Sequence, residues 1–520
     1  MSEITASKEI PASAANEAPS TAGMTTKVVK GSLWTLAGQV LPLLVSFFAT
    51  PFVIRFLGAE SYGVLILITL IPTYFVFADL GMSIASTRFG SEAYAKGHRE
   101  KEAETVRTAA LLALSVSFPA ALGILIFSFP IVGLFKVPEN LRPEASFALK
   151  FAAATFVLNI LSGIFNTPQL TRLRMDLNTL VTTGFRVLGL IATPFVLYFG
   201  GGVAGAAFVL LVSAALTLAG HFFISSRLLK ELARISIDRS VFQPLLKFGF
   251  PLAISNIAAI LLVNSEKAIL ARSASVESLA YYSVATTFAG MATLFSSAMI
   301  QSLLPAFSQL SAPEKKEELN RLFARTLRIN LVGLIPAVTF LFVIAKPFFT
   351  LWAGENFGRE SSPPFYVLLF GLFFNIIAYI PHASLVASGR TDVLAKIYWL
   401  ELAPYVLLVA VLTTSFGAVG AALAWSLRII ADALVFIWLS KKMTGVSLKI
   451  FQGKELSFAL ISLALMLPVF IIGFTNNYSI WLFIFAPLCV TVYLITVWNF
   501  FLEADERRWV NGKIHALINR

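Results

Sequence analysis

The sequence contains little charge and almost no cysteine. Only 13% of its 520 residues are Asp, Glu, Lys or Arg, whereas a soluble domain carries roughly 25%. Hydrophobic residues make up 57% of the chain, and its mean hydropathy is +0.81. Soluble enzymes and nucleic-acid-binding proteins are thereby excluded. The one cysteine, Cys489, lies in an apolar run and cannot form an intrachain disulfide, so it indicates no redox or metal chemistry.

Long apolar runs take the place of the missing charge. A helix that spans a bilayer needs roughly 20 mostly apolar residues. Fourteen runs of this kind occur, so the sequence predicts an all-α, polytopic membrane protein with about 14 transmembrane helices. The predicted spans cover residues 33–55, 63–85, 108–135, 147–168, 178–199, 202–225, 248–271, 280–305, 328–351, 363–387, 394–414, 417–440, 455–474 and 478–501.

The basic residues predict the orientation of the chain. With the N-terminus in the cytoplasm, about three quarters of the 40 Lys and Arg residues fall on the cytoplasmic side. Such a bias follows the positive-inside rule, and the even number of spans places both termini in the cytoplasm. Residues 1–30 begin with a polar stretch without apolar periodicity and are predicted to form a disordered cytoplasmic tail.

An internal repeat divides the membrane region. Short motifs recur in the same order at a spacing of about 216 residues: Glu60-Ser61 as Glu277-Ser278, Arg174 and Asp176 as Arg390 and Asp392, and Gly205-Ala206-Ala207 as Gly420-Ala421-Ala422. The repeat predicts two six-helix lobes related by a pseudo-twofold axis along the membrane normal. We expect an N-lobe at 31–229, a cytoplasmic linker at 230–247, a C-lobe at 248–442, and a hairpin of spans 13 and 14 followed by a cytoplasmic C-terminus within 443–520.

Duplicated lobes within the bilayer favour a transporter that alternates between inward-open and outward-open states. A duplicated scaffold that anchors another molecule is the alternative. The sequence contains no filter-like run typical of a channel and no phosphate-binding lysine loop. The longest outer loops, around 136–147 and 353–362, are too short for a membrane glycosyltransferase or ligase. We therefore expect a protein that is not an enzyme and uses no cofactor.

Seven short motifs occur in a distinctive order and spacing between about residue 31 and residue 442. They are Arg55–Gly63 (RFLGAESYG), Asp79–Gly81 (DLG), Lys247–Pro251 (KFGFP), Asn264–Lys267 (NSEK), Glu277–Ser283 (ESLAYYS), Leu351–Glu355 (LWAGE) and Gly417–Ala422 (GAVGAA). Together these motifs resemble the polysaccharide-transporter (Wzx-type) branch of the multidrug/oligosaccharidyl-lipid/polysaccharide exporter superfamily.

The resemblance implies a flippase of the bacterial inner membrane. Its expected substrate is an undecaprenyl-pyrophosphate-linked oligosaccharide, an O-antigen or other surface-polysaccharide unit, moved from the cytoplasmic to the outer leaflet by alternating access. It further implies H⁺ or Na⁺ as coupling ions and other polysaccharide-assembly proteins as partners. Two alternatives stay open, a lipid II flippase and a drug or cation antiporter. The chain departs from the family at Glu266, where Asp is usual.

Four basic residues are candidates to bind the substrate's pyrophosphate. A charge near the bilayer centre costs roughly 2.5–3.5 kcal/mol on insertion scales, so it usually faces a cavity or a partner. Arg186, in the middle of span 5, binds the headgroup or pairs with a carboxylate, and the repeat places Glu401 at the equivalent position. Arg428 faces the cavity or pairs along its own helix. Lys267 has two interpretations: it lines the cavity, or its side chain extends to the membrane surface. Arg88 either contacts the headgroup as it enters from the cytoplasm or anchors the cytoplasmic end of its span by the positive-inside rule.

Four acidic residues are candidates for ion coupling, namely Asp79, Glu266, Glu401 and Asp432. Asp432 follows Arg428 by four residues and shares a helical face with it. Asp79 has no counterpart in the second repeat, so it either exchanges an ion or packs against neighbouring hydroxyls. The lone histidines predict no metal site. Acidic and basic residues are balanced within the spans, which favours an anionic substrate over a cationic drug.

Overall fold

The computed structural model describes residues 21–233, 239–293, 303, 306–310, 315–444, 464, 480–501 and 507–508. These residues form helices and short connections and include no β-strand, which confirms the predicted all-α fold class. Short 3₁₀ helices cover Ile71–Asp79, Glu139–Leu141 and Lys230–Ala233, and Val497–Phe501 forms a π-helical turn. The α-helices are α1 (Thr21–Leu70), α2 (Met82–Ala95), α3 (Arg99–Ile126), α4 (Ser128–Gly133), α5 (Arg142–Phe165), α6 (Thr167–Thr171), α7 (Met175–Tyr198), α8 (Gly202–Leu228), α9 (Arg239–Ser273), α10 (Val276–Ala292), α11 (Lys316–Ala353), α12 (Glu355–Ala387), α13 (Thr391–Thr444) and α14 (Ile480–Thr496).

The two longest helices each contain two predicted spans. α1 has 50 residues and α13 has 54, more than twice the roughly 20 that a bilayer requires. Each helix is interrupted at one glycine, Gly58 with φ 76° and Gly417 with φ 55°, a conformation that side chains with a Cβ rarely adopt. Counting each kinked helix once, nine helices of the described ranges are long and apolar enough to cross a membrane. The polytopic fold is confirmed.

Some predicted segment boundaries differ from the helix boundaries in the structure, and others lie outside the described residues. α1 begins at Thr21, within the predicted tail, and α9 begins at Arg239, within the predicted linker 230–247. Predicted span 13, at 455–474, lies outside the described residues apart from Ala464, and so does the end of predicted span 8. Predicted span 14 corresponds to α14 and the π-helical turn.

The backbone breaks recur at the spacing found in the sequence. Leu173 and Gly389, 216 residues apart, both adopt positive φ (54° and 74°) at the turn before a long helix. The break at Gly200–Gly202 matches the kink at Gly417 in the same way. Positive φ at equivalent turns is what a duplicated helix hairpin requires, because each turn reverses the chain over the same few residues. The recurrence supports the duplication, while the division into lobes stays a prediction.

Small residues allow the helices of the first repeat to pack closely. α5 buries Ala145, Ala148, Ala152 and Ala153, which lie near one face at helical spacing. α1 presents Gly38 to α7, where an added Cβ would lie 2.9 Å from the Thr179 methyl group. Membrane helices are held together largely by this kind of contact, because lipid tails are as apolar as leucine and supply no hydrophobic drive.

The two repeats touch through backbone as well as side chains. A Cβ added to Gly63 would overlap the carbonyl oxygen of Val276, and a Cβ added to Gly81 would overlap that of Gly249. Gly63 and Val276 fall on the predicted outer side, and Gly81 and Gly249 on the predicted cytoplasmic side. The repeats are therefore in direct contact near both membrane surfaces, at positions where only glycine fits.

One further contact between the repeats depends on a proline. Pro51 of α1 has no N–H, so the carbonyl of Phe47 loses its partner within the helix. The indole Nε1–H of Trp352, at the end of α11, donates a hydrogen bond of 2.9 Å to this carbonyl oxygen. The rings of Phe47 and Trp352 also contact one another, with centroids 6.1 Å apart. A carbonyl released in the first repeat is thus satisfied by the second.

Replacing Trp352 by Phe tests this contact, because it removes the donor and keeps an aromatic ring. We expect the free energy of unfolding in detergent to fall by roughly 0.5–1.5 kcal/mol, the usual net value of one hydrogen bond. In a Pro51→Ala background the loss becomes smaller, because the substituted residue has an amide that can bond to Phe47 within α1. A double-mutant cycle measures this coupling. Equal losses in both backgrounds would contradict the interpretation.

Candidate functional site

Two helices of the second repeat bring ionisable and phenolic side chains together inside the membrane region. We call five of these residues the Arg428 cluster: Glu266 from α9, and Glu401, Tyr405, Arg428 and Asp432 from α13. The kink at Gly417 folds α13 back on itself, which is why its two halves can both contribute. Glu266 and Asp432 are buried, and the Arg428 side chain is only 11% exposed.

Arg428 is the centre of the cluster. Its Nη1 atom lies 3.3 Å from Oδ2 of Asp432 and 3.5 Å from Oε1 of Glu401. Its guanidinium carbon lies 4.9 Å from the centre of the Tyr405 ring, so the cation also interacts with the π face. The predicted Arg428–Asp432 contact is present. Glu401 belongs to this cluster too, rather than to a pair with Arg186.

Glu266 accepts a hydrogen bond from one tyrosine and lies near two others. The hydroxyl of Tyr405 donates to Oε2 of Glu266 at 3.0 Å. The buried Tyr282 of α10 also lies within electrostatic range of this carboxylate. From the first repeat, Tyr74 donates to the carbonyl oxygen of Asn264 at 2.7 Å, two residues before Glu266. The carboxylate therefore sits where the two repeats meet.

A cavity of about 290 Å³ adjoins the cluster. Arg428 and Asp432 form part of its wall, together with His382, whose Nε2 lies 3.1 Å from the hydroxyl of Tyr398. Most of the wall is apolar, and its polar groups gather at Arg428, Asp432 and the Tyr398–His382 pair. The space is large enough for several water molecules, which can bind these groups.

The other cationic candidates do not join this cluster. Arg186 is exposed and makes no hydrogen bond or ion pair with any described residue. It lies seven residues after Thr179, so both occupy the face of α7 that turns toward α1. Lys267 is half-buried beside Glu266. Arg88 is exposed on α2, with its guanidinium 4.3 Å from the ring centre of Phe248 in α9.

Asp79 stands apart from the other acidic candidates. It ends the 3₁₀ helix Ile71–Asp79, directly before the left-handed residues Leu80 and Gly81. Its carboxylate accepts a hydrogen bond of 2.9 Å from the hydroxyl of Ser83 and a longer one from the Ser83 amide. These bonds satisfy an amide at the start of α2. The contact with a neighbouring hydroxyl is the one that the packing interpretation of Asp79 predicts.

The Arg428 cluster and Arg186 differ in their balance of charge. The Arg428 cluster holds three carboxylates and one guanidinium, which is suited to binding a small cation or proton. Arg186 of the first repeat is exposed and lacks an acidic partner among the described residues, which is suited to binding an anion. Arg88, by contrast, lies one helical turn before Glu92 and within electrostatic range of it. Within the described ranges, no three His, Cys, Asp or Glu side chains are placed to hold a metal ion together.

The sequence did not predict the tyrosines. Tyr405 bridges Arg428 and Glu266, and its position four residues after Glu401, on the same face of α13, was the available signal. Tyr74 had no such signal, because its bond to Asn264 joins residues 190 positions apart. The balance of charge read from the sequence was averaged over all the predicted spans, and it concealed the acidic excess of the Arg428 cluster.

Removing the Arg428 charge tests whether the cluster depends on it. In Arg428→Met, two carboxylates lose their partner, and breaking a buried pair costs roughly 3–5 kcal/mol. We expect a clear fall in thermal stability of the solubilised protein. The triple variant Arg428→Met, Glu401→Gln, Asp432→Asn should recover most of it. Arg321→Met, which removes an exposed i,i+4 partner of Glu317, is the control and should change little. Equal effects of Arg428→Met and the control would contradict this interpretation.

Three comparisons relate the chain to known proteins. Residues 28–311 match the family described as "Polysaccharide biosynthesis protein". The chain is 25% identical over 429 residues to a putative O-antigen transporter of Shigella flexneri, covering 81% of this chain and 99% of the relative. It is 21% identical over 392 residues to the succinoglycan biosynthesis transport protein ExoT of Rhizobium meliloti (strain 1021), covering 75% and 73%.

The fold also has a solved counterpart. The lipid II flippase MurJ, in an inward closed conformation, superposes with a TM-score of 0.68 at 18% identity, covering 91% of this chain and 99% of MurJ. At this identity the likeness concerns the fold. The matched sequence family and the two transport relatives confirm the predicted resemblance to polysaccharide transporters, and the superposition with MurJ agrees with it in fold. The family match covers more than half of the chain, and the protein belongs to the family of polysaccharide biosynthesis proteins.

Proposed function

We propose that the protein is a flippase for an undecaprenyl-pyrophosphate-linked oligosaccharide. It moves an O-antigen or other surface-polysaccharide unit from the cytoplasmic to the outer leaflet of the bacterial inner membrane, with both of its own termini in the cytoplasm. No covalent chemistry is involved. The family match and the two named relatives support a role in polysaccharide transport.

The observation that carries the proposal is Arg186 in the middle of α7, which is exposed and has no acidic partner in the part of the chain that the structure describes. Met175 begins α7, so Arg186 lies about 16 Å along the helix, near the centre of a bilayer core about 30 Å thick. An arginine at this depth is costly unless an anion or water meets it. A pyrophosphate supplies the anion, and guanidinium groups bind phosphate oxygens with two parallel hydrogen bonds.

We further propose that the Arg428 cluster couples the cycle to an ion gradient. Glu266, Glu401 and Asp432 outnumber the one guanidinium, so the cluster can take up H⁺ or Na⁺. Tyr74 connects this region to the first repeat through Asn264, so a change at Glu266 is transmitted to the contact between repeats. Movement of the repeats then follows the occupancy of the carboxylates.

A second candidate function is a drug or cation antiporter. The acidic excess of the Arg428 cluster and its tyrosine rings are the observations that favour it, because carboxylates and aromatic faces bind organic cations. Arg186 opposes it, since an exposed guanidinium repels a cationic substrate. The two functions predict different molecules to accumulate when the protein is lost.

Mass spectrometry of polyprenyl lipids, before and after depletion of the protein, separates these functions. We expect a polyprenyl-pyrophosphate oligosaccharide to accumulate, and re-expression of the wild type to clear it. Arg186→Ala should fail to clear it, and Arg186→Lys should clear it in part, because lysine keeps the charge but loses bidentate binding. Arg359→Ala, which removes an exposed cation on the predicted outer side, is the matched control and should behave as wild type.

Two other results would contradict the proposal. Accumulation of lipid II would move the protein to peptidoglycan synthesis. An unchanged lipid profile, in a strain without a redundant flippase, would overturn lipid transport and make efflux of organic cations the next assay.

A further inference from the structure

Two cavities of similar size and opposite character lie on either side of α1. The first, the outer vestibule, measures about 690 Å³ and lies between α1 and the turn that joins α11 to α12. The second, the apolar groove, measures about 710 Å³ and lies between α1 and α7. Phe52 belongs to the walls of both. Both lie in the half of the membrane region predicted to face outward.

The outer vestibule offers polar and charged groups. Arg55 of α1 is exposed within it and forms no ion pair with a described residue. From the second repeat come Thr350, Glu355 and Asn356, which supply hydroxyl, carboxylate and amide groups. Groups of this kind bind sugar hydroxyls, and an unpaired guanidinium binds phosphate. Because its walls come from both repeats, the vestibule changes shape when the repeats move.

The apolar groove offers almost nothing polar. Its walls are aliphatic and aromatic. About 12 Å of the groove's length is lined by Ile191 and Phe195 of α7 and by Phe199, which directly follows that helix. The rings of Phe56 and Tyr198 meet edge to face at one end, with centroids 5.9 Å apart. Arg186 lies five residues before Ile191 on the same helix, about 7.5 Å closer to the predicted cytoplasmic side and about 140° away around the helix axis. The guanidinium next to the groove is therefore that of Arg55, which lies beyond Phe52 in the outer vestibule.

We infer that the two cavities together form a binding site for the polyprenyl-linked substrate in the outer leaflet, before its release. The pyrophosphate and first sugars occupy the outer vestibule at Arg55, and the polyprenyl chain lies in the apolar groove. The substrate has a polar glycan and an apolar chain joined by an anionic pyrophosphate. A polar cavity and an apolar cavity that are separated by one side chain, Phe52, match this order of groups. The inference rests on the proposed function and assigns Arg55 a role at exit, where Arg186 acts at mid-membrane.

Binding of two pyrophosphates that differ only in chain length tests the site. The full-length protein, in nanodiscs of phosphatidylethanolamine, is titrated with undecaprenyl pyrophosphate and with farnesyl pyrophosphate, and binding is read by native mass spectrometry. Arg55→Ala should weaken both lipids by about tenfold or more, since hydrogen bonds to charged groups are worth at least that much. Ile191→Trp fills the groove and should weaken only undecaprenyl pyrophosphate.

Two control variants carry the same types of substitution at positions outside both cavities. Arg272→Ala removes an exposed cation at the end of α9, outside both cavities, and Leu216→Trp adds an indole to an exposed position of α8. Both should bind as wild type. Ala49→Trp fills the groove from α1 and replaces Ile191→Trp if that variant fails to fold.

Three outcomes would overturn the inference. Arg55→Ala could bind undecaprenyl pyrophosphate as tightly as wild type does. The groove variants could leave that lipid unaffected or weaken both lipids equally. Phosphatidylglycerol could compete with undecaprenyl pyrophosphate on equal terms, which would identify the groove as an ordinary lipid contact. If depletion does cause the glycolipid to accumulate while any of these results is found, the exit site fails and the flippase function stands.

Discussion

Backbone polar groups inside a bilayer must find a partner, and charged side chains are costly there unless a partner, an anion or water meets them; much of this structure follows from these two constraints. Helices satisfy the backbone, so the described chain contains helices and no strands. Where the backbone must break, glycine or a left-handed residue takes the position, as at Gly58 and Gly417. The exceptions are informative. Arg186 and Arg55 are exposed cations without acidic partners among the described residues, and these are the positions to which the substrate is assigned.

The constraint on charged side chains distinguishes Arg428 from Arg186. In the second repeat, Arg428 is surrounded by Glu401, Asp432 and Tyr405, so its charge is balanced within the protein. In the first repeat, Arg186 has no acidic partner among the described residues. Under the proposed function, the anion site and the cation site then belong to different repeats, and separate mutations can alter each of them.

The sequence predicted the parts that depend on local pattern. Long apolar runs predicted the helices, repeated motifs predicted a duplication at a spacing that the positive-φ turns share, and the i,i+4 spacing of Arg428 and Asp432 predicted their contact. It did not predict the partner of Glu401. Equivalence in a repeat fixes the depth of a residue in the membrane but not the rotation of its helix. Long-range bonds such as Tyr74 to Asn264 also left no local signal, because they depend on how the helices pack.

The hydrogen bond from Trp352 to the carbonyl of Phe47 makes two distant positions depend on each other. Pro51 leaves that carbonyl without a partner in its helix, and Trp352, 301 residues later in the chain, supplies the donor. A proline at position 51 is compatible with the membrane only if a donor from another helix bonds to the Phe47 carbonyl. The indole N–H at position 352 has an acceptor there only if the proline leaves that carbonyl free. Neither position can drift alone without leaving a backbone group unsatisfied in lipid. In an alignment of relatives, these two columns should therefore change together, even though their side chains share no charge and no complementary shape.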